Sequence, residues 1–365
     1  MKKILILLLF SAVCTNVCVA DYRRAAEFVR AGNYPDAVDA LQDTLASDPK
    51  SQYLMGYLYY HGLGVEQNYN QAADLFEKAL EAGNIESATF LAYMYDEGKG
   101  IGTNKKRAFD LYQMASEAGD VTATMNLAVM YYSGSGIPQN YDRAFALMDS
   151  IENARDPVVQ FYLGNFYFYG YGVKTDQKRA VAYYIRAAQL GSVEAHYMLG
   201  YIYKNGYGVA ADPKKALKYY EYAAYAQQPQ AQYNLASMYA DGSAGGVDMI
   251  RAYAWFTKAV DNNVEAASQA LSKVADAMDI SEISRAKQFL IGLNRQLASK
   301  ELVASESLNE NLGDKAFKTP ARPASNAQFD FPTSQQVTGR TSSSSYSNSG
   351  RSSGIVSRRR NVRRR

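Results

Sequence analysis

Residues 195–220 read AHYMLGYIYKNGYGVAADPKKALKYY. An apolar-rich helical stretch is followed by a loop with Gly206 and Gly208, and Asp212 and Pro213 then open a second helical stretch. An Asp just before a helix accepts free N–H groups of the first turn. A Pro at the first helical position gives up an N–H that has no partner there. Such a hairpin cannot bury its apolar face alone. Its meaning therefore depends on whether it recurs.

It recurs every 36 residues, without slippage, through six units. Tyr59, Tyr95, Tyr131, Tyr167, Tyr203 and Tyr239 form one column, and Gly62, Gly98, Gly134, Gly170, Gly206 and Gly242 a second. Ala72, Ala108, Ala144, Ala180, Ala216 and Ala252 form a third, where a larger side chain would overpack. Asn68, Asn104, Asn140, Asp176, Asp212 and Asp248 precede the second helix of each unit. Asp48, Asn84, Asp120, Asp156 and Ser192 precede the first, with Gln228 and Val264 breaking that column. Each unit is expected to be a helix of about ten residues, a Gly-rich loop, a longer helix and a tight turn at Gly83, Gly119 or Gly191.

The unit 195–220 resembles the Sel-one-like repeat (SLR), a relative of the tetratricopeptide repeat, over 50–265. The resemblance implies an all-α, right-handed α/α superhelical solenoid that holds other proteins, often at bacterial envelopes or in host contact. Residues 21–49 are similar to an ordinary tetratricopeptide-type helix pair, and 266–303 read as amphipathic capping helices. Two spots depart from the pattern. Asp149–Asp156 has Arg155 where the turn glycine would stand, and the sixth loop has Ala244 for its second glycine.

Columns that vary on a fixed scaffold are the candidates for recognition. In SLR and tetratricopeptide proteins the first helices line the concave groove. That resemblance places a partner-binding face at Tyr53, Tyr57, Tyr60, Tyr93, Asp96, Tyr132, Phe161, Asn165, Phe168, Tyr197, Tyr201, Lys204 and Tyr233. Tyr offers large contact area at low entropy cost. The alternative is that these aromatics pack between repeats, the usual fate of an aromatic at helical spacing. A glycan-binding module, with tyrosines stacked on peptidoglycan or exopolysaccharide sugars, is a rival reading, and an enzyme acting on cell-wall material through scattered carboxylates is a more distant one.

Chemistry-bearing constellations are scarce. His61 and His196, far apart, cannot supply a multi-histidine metal site or an ordinary triad. The recurring G-x-G of the loops has no preceding strand, so it reads as loop geometry rather than a phosphate cradle. Asp96 and Glu97 are adjacent on a helix and diverge, which disfavours paired acid–base work. The expectation is a non-catalytic scaffold without cofactor or metal.

The ends differ from the body. Lys2, Lys3, an apolar stretch and Val19-Ala20 have the layout of a secretory signal peptide over 1–20, which would remove Cys14 and Cys18. Export to a periplasm or envelope, or secretion, is the expectation. Residues 304–365 are Ser-rich and end in Arg358, Arg359, Arg360, Arg363, Arg364 and Arg365. Such a tail is expected to be disordered and to tether to polyanions such as anionic lipid or glycan, with no specific nucleic-acid target. From 314 onward the chain carries +9, whereas 21–313 carries −8, so the net +3 conceals an acidic body and a basic tail.

Overall fold

The computed structural model describes residues 21–310 apart from Ala244, with side chains described to Ser299. The expected signal segment 1–20 and all of the expected tail beyond Glu310, including its arginines, lie outside the described residues. Among the described residues there are sixteen helices and no strand. Helices α1 (residues 21–30) and α2 (Tyr34–Gln42) form the N-terminal pair. The first helices of the six units are α3 (Pro49–His61), α5 (Glu86–Glu97), α7 (Val121–Ser133), α9 (Pro157–Tyr169), α11 (Val193–Asn205) and α13 (Pro229–Asp241). Their second helices are α4 (Tyr69–Glu81), α6 (Lys105–Glu117), α8 (Tyr141–Ser150), α10 (Gln177–Gln189), α12 (Pro213–Tyr225) and α14 (Met249–Asp261). Helices α15 (Ala267–Asp276) and α16 (Ile280–Glu310) both pack on α14 and close the stack. The last helix thus runs past the expected boundary at 303, through 301–310, which contain neither Gly nor Pro.

Helix starts follow the expected chemistry. Each Asn or Asp before a second helix accepts the backbone N–H three residues on, at 2.9–3.0 Å. Asp48, Asn84, Asp120, Asp156 and Ser192 likewise accept first-turn N–H groups before the first helices, at 2.7–3.1 Å, Asp156 from the residue two on. Gln228 corrects the expectation of a broken column, because its side chain also reaches the N–H of Ala231. Val264 does break it, and α15 begins late, without a side-chain cap. The first helices are longer than the expected ten residues: all but α5 have 13, matching most second helices.

Packing explains why the columns hold. All six alanines of the Ala72 column are fully buried. Four residues after each, a large side chain (Phe76, Tyr112, Met148, Tyr184, Tyr220 or Phe256) enters the core. In units five and four that ring lies directly on the first helix: a Cβ on Gly200 or Gly164 would stand 2.6 Å from Tyr220 or Tyr184. The second loop glycine has a separate cause. A Cβ on Gly208 would meet the backbone of Gln177 at 2.7 Å, and one on Gly64 would meet Tyr34 at 2.7 Å. The G-x-G loop is thus a joint pressed against the start of the preceding unit's second helix.

Candidate interaction surface

The expected concave face is not exposed. Tyr53, Tyr57, Tyr60, Tyr93, Asp96, Tyr132, Phe161, Asn165, Phe168, Tyr197 and Tyr201 are buried, while Lys204 and Tyr233 are half-buried. Successive first helices stack on one another through these side chains. Tyr53, Tyr57 and Tyr60 all surround Phe90 of the next unit, with centroids 5.6–5.9 Å away. Tyr132 packs likewise on Tyr162 and Phe166.

The central residue of the next unit's G-x-G loop closes what remains. Lys99 places its ammonium over the rings of Tyr60, Tyr69 and Tyr93 at 5.0–5.7 Å. Tyr171 stacks on Tyr141 and abuts Tyr132, and Tyr207 covers Phe168 and Tyr201. Burial drives the Tyr132 hydroxyl well above its ordinary pKa. Sequence spacing correctly placed these residues on one face, but not what lies against it.

The polar markers on that face have packing roles too. Asp96, its side chain fully buried, pairs with Lys105 Nζ at 2.7 Å, and the same ammonium donates to the Asp96 carbonyl. Asn165 Oδ1 accepts the Tyr184 hydroxyl at 2.7 Å. His61 lies against Tyr57 and Tyr60, and burial, then Lys99, lowers its pKa to about 4. His196 stacks on Tyr222, centroids 3.7 Å apart, and is lowered by burial.

The outer edge, where the second helices begin, is exposed and periodic. Arg143, Arg179, Lys215 and Arg251 lie over Tyr131, Tyr167, Tyr203 and Tyr239 at 5.3–5.5 Å. The side chains of Arg179, Lys215 and Arg251 remain 65, 59 and 51% exposed, and each is 3.5–3.7 Å from the acid capping its own helix. The result is a ladder of four cations, one per unit, laid flat on tyrosines. The sequence carries this signal, since a base follows the Tyr59 column by twelve places in five of the six units.

Carboxylates of the chain itself meet tyrosines on this side at three places. Tyr95 donates to Glu77 at 2.9 Å and Tyr239 to Glu221 at 2.7 Å. Tyr183 donates to Glu152 at 2.8 Å, and Arg186 pairs with the same carboxylate at 3.4 Å. Glu152 comes from the irregular segment after α8, so the departure noted at Asp149–Asp156 ties units three and four together. Among the described residues no group of three or more His, Cys, Asp or Glu could hold a metal ion, and no helix is long and apolar enough to cross a membrane.

The Sel1 repeat family pattern matches residues 49–84, 85–120, 121–150, 157–192, 193–227 and 229–264. A Sel1 repeat protein from Oxalobacter formigenes is similar in structure, with 31% identity and a TM-score of 0.60, covering 66% of this chain and 96% of its own. The protein c5321, a protective antigen present in uropathogenic Escherichia coli strains and displaying an SLR fold, is 25% identical with a TM-score of 0.62. That match covers 78% of this chain and 61% of the E. coli protein's length. Comparison with curated proteins finds no match.

Proposed function

The chain belongs to the Sel1 repeat family, whose members act as protein-interaction scaffolds and are typically non-catalytic, and from that premise we propose that it is an exported scaffold holding acidic segments of partner proteins along its exposed Tyr–Arg/Lys ladder. The observation that carries this reading is the ladder, four exposed cations at a constant 36-residue interval, each held in place by an aromatic face. A cation fixed on a ring loses less freedom when it meets a carboxylate than a free side chain does. Export to an envelope compartment rests on the signal-like segment 1–20. The arginines at 358–365 would add a nonspecific tether to polyanionic surfaces.

The test is co-purification from the native envelope with wild type and an Arg143→Glu/Arg179→Glu/Lys215→Glu/Arg251→Glu variant. The variant is expected to fold and to lose partners that wild type retains. A folded variant that keeps every partner sinks the ladder reading. Replacing Tyr57, Tyr93 and Tyr201 by Ala is not an equivalent test, since all three are core.

A further inference from the structure

Unit five differs from its neighbours at one place on the ladder. Its outer edge holds an open cavity of about 480 Å³ lined by His196, Tyr203, Lys215, Lys218, Tyr219 and Tyr222. Tyr203 and Tyr219 stack nearly parallel at 5.5 Å, and Tyr222, stacked on His196, is 48% exposed. Unit four has the same stacked pair in Tyr167 and Tyr183, again at 5.5 Å. There Glu152 accepts from the Tyr183 hydroxyl and pairs with Arg186. The residue 36 places after Glu152 is Ala188, which lies inside α10 and carries no acid.

A second internal carboxylate is missing as well. Glu77 and Glu221 reach the tyrosine of the Tyr59 column eighteen residues after them, whereas the residue eighteen before Tyr203 is Ile185. The cationic side is enlarged at the same place. Lys218 occupies a column that reads Asp74, Asp110, Ala146, Ala182 and Ala254 elsewhere. Unit five thus has neither acid, as is true of unit three, but it alone adds a base at this column and keeps the tyrosine pair of unit four.

We infer that the unit-five cavity is a binding site for a carboxylate side chain, supplied by an acidic segment of a partner protein. The chain's own Glu77, Glu152 and Glu221 show what such a site accepts. In each, a peptide carboxylate takes a Tyr hydroxyl, and in the Glu152 case a neighbouring cation as well. Lys215 and Lys218 would play the part of Arg186, and the exposed face of Tyr222 would cover the aliphatic stem of the incoming residue. The inference rests on the scaffold reading for the class of ligand, and adds to it one defined pocket.

The full chain is titrated with end-blocked hexaglutamate while the two imidazole signals are followed by NMR, His61 serving as internal control. A saturable shift of His196 alone is expected. Lys218→Ala should raise Kd about fivefold, the size of one exposed ion pair. Ala188→Glu should abolish the shift, because it puts one of the chain's own carboxylates in register with Glu152 beside the pocket. An unmoved His196 signal overturns the proposal, as does an unchanged Kd in Ala188→Glu. So does tetragalacturonate binding more tightly than hexaglutamate, which would assign the pocket to an acidic glycan. The two readings fail separately. Hexaglutamate binding survives in a chain whose ladder variant keeps its partners, and partner loss on ladder reversal survives an empty pocket.

Discussion

First and second helices repeat at the same interval, yet the solenoid uses them differently. Helix α9 is buried continuously from Val159 to Phe168, while its partner α10 buries Ala180, Val181, Tyr183, Tyr184 and Ala187 and leaves the rest wet. A first helix packs against its own second helix and the second helix of the unit before it, and its aromatic side chains meet the neighbouring first helices. A second helix keeps an open flank. Aromatic residues on the first kind therefore set the stack, and freedom to acquire a binding role lies with the second kind and its starting edge.

The comparison breaks most visibly if the inner helices are overfilled. Gly200→Val would drive side-chain atoms into the Tyr220 ring, and a loss of about 3 kcal/mol is expected in chemical denaturation. A loss near zero would show that the inner helices are loosely packed.

Next comes acid. His61 stays neutral in the folded chain down to about pH 4, whereas in the unfolded chain it protonates near its ordinary 6.5. The unfolded state thus binds the extra proton first, and stability should fall between those values by about 3 kcal/mol, levelling off below them. His61→Gln should flatten that window of the stability-versus-pH curve, and an unchanged slope would place the titrating group elsewhere.

A smaller effect, of opposite sign, lies in the turns between units. Gln227 adopts φ 63° where Gly83, Gly119 and Gly191 stand in other units. Gln227→Gly should relieve left-handed backbone strain and raise stability by about 0.5 kcal/mol after the greater entropy of an unfolded glycine is offset. Smallest of all, Arg179→Ala on the outer edge should change stability by less than about 0.5 kcal/mol, while weakening partner capture. A large stability loss there would make the ladder a structural brace.

The solenoid was readable because its constraints are local and repeated: an acid or amide before each helix, a glycine after each first helix, an alanine at each close approach. Unit boundaries followed from the same columns. The binding face was not readable in the same way. Helical spacing places Tyr53, Tyr57 and Tyr60 together, but only the stack shows that Phe90 fills the space beside them and Lys99 closes it. Nor does spacing within one unit reveal that Glu152 completes a site on the next, since that contact crosses 31 residues and a break in the pattern. Gln228 departs from the expectation for a simpler reason: it is an uncommon cap residue whose side chain nonetheless reaches the N–H of Ala231.

Hydroxyl-radical footprinting of the native full chain tests the central division between inner stack and outer edge most directly. Oxidation should be slow at Tyr57 and Tyr197, which are 2 and 3% exposed, and fast at Tyr222, at 48%. Equal labelling of all three would contradict the account and return the tyrosines of the first helices to an open groove.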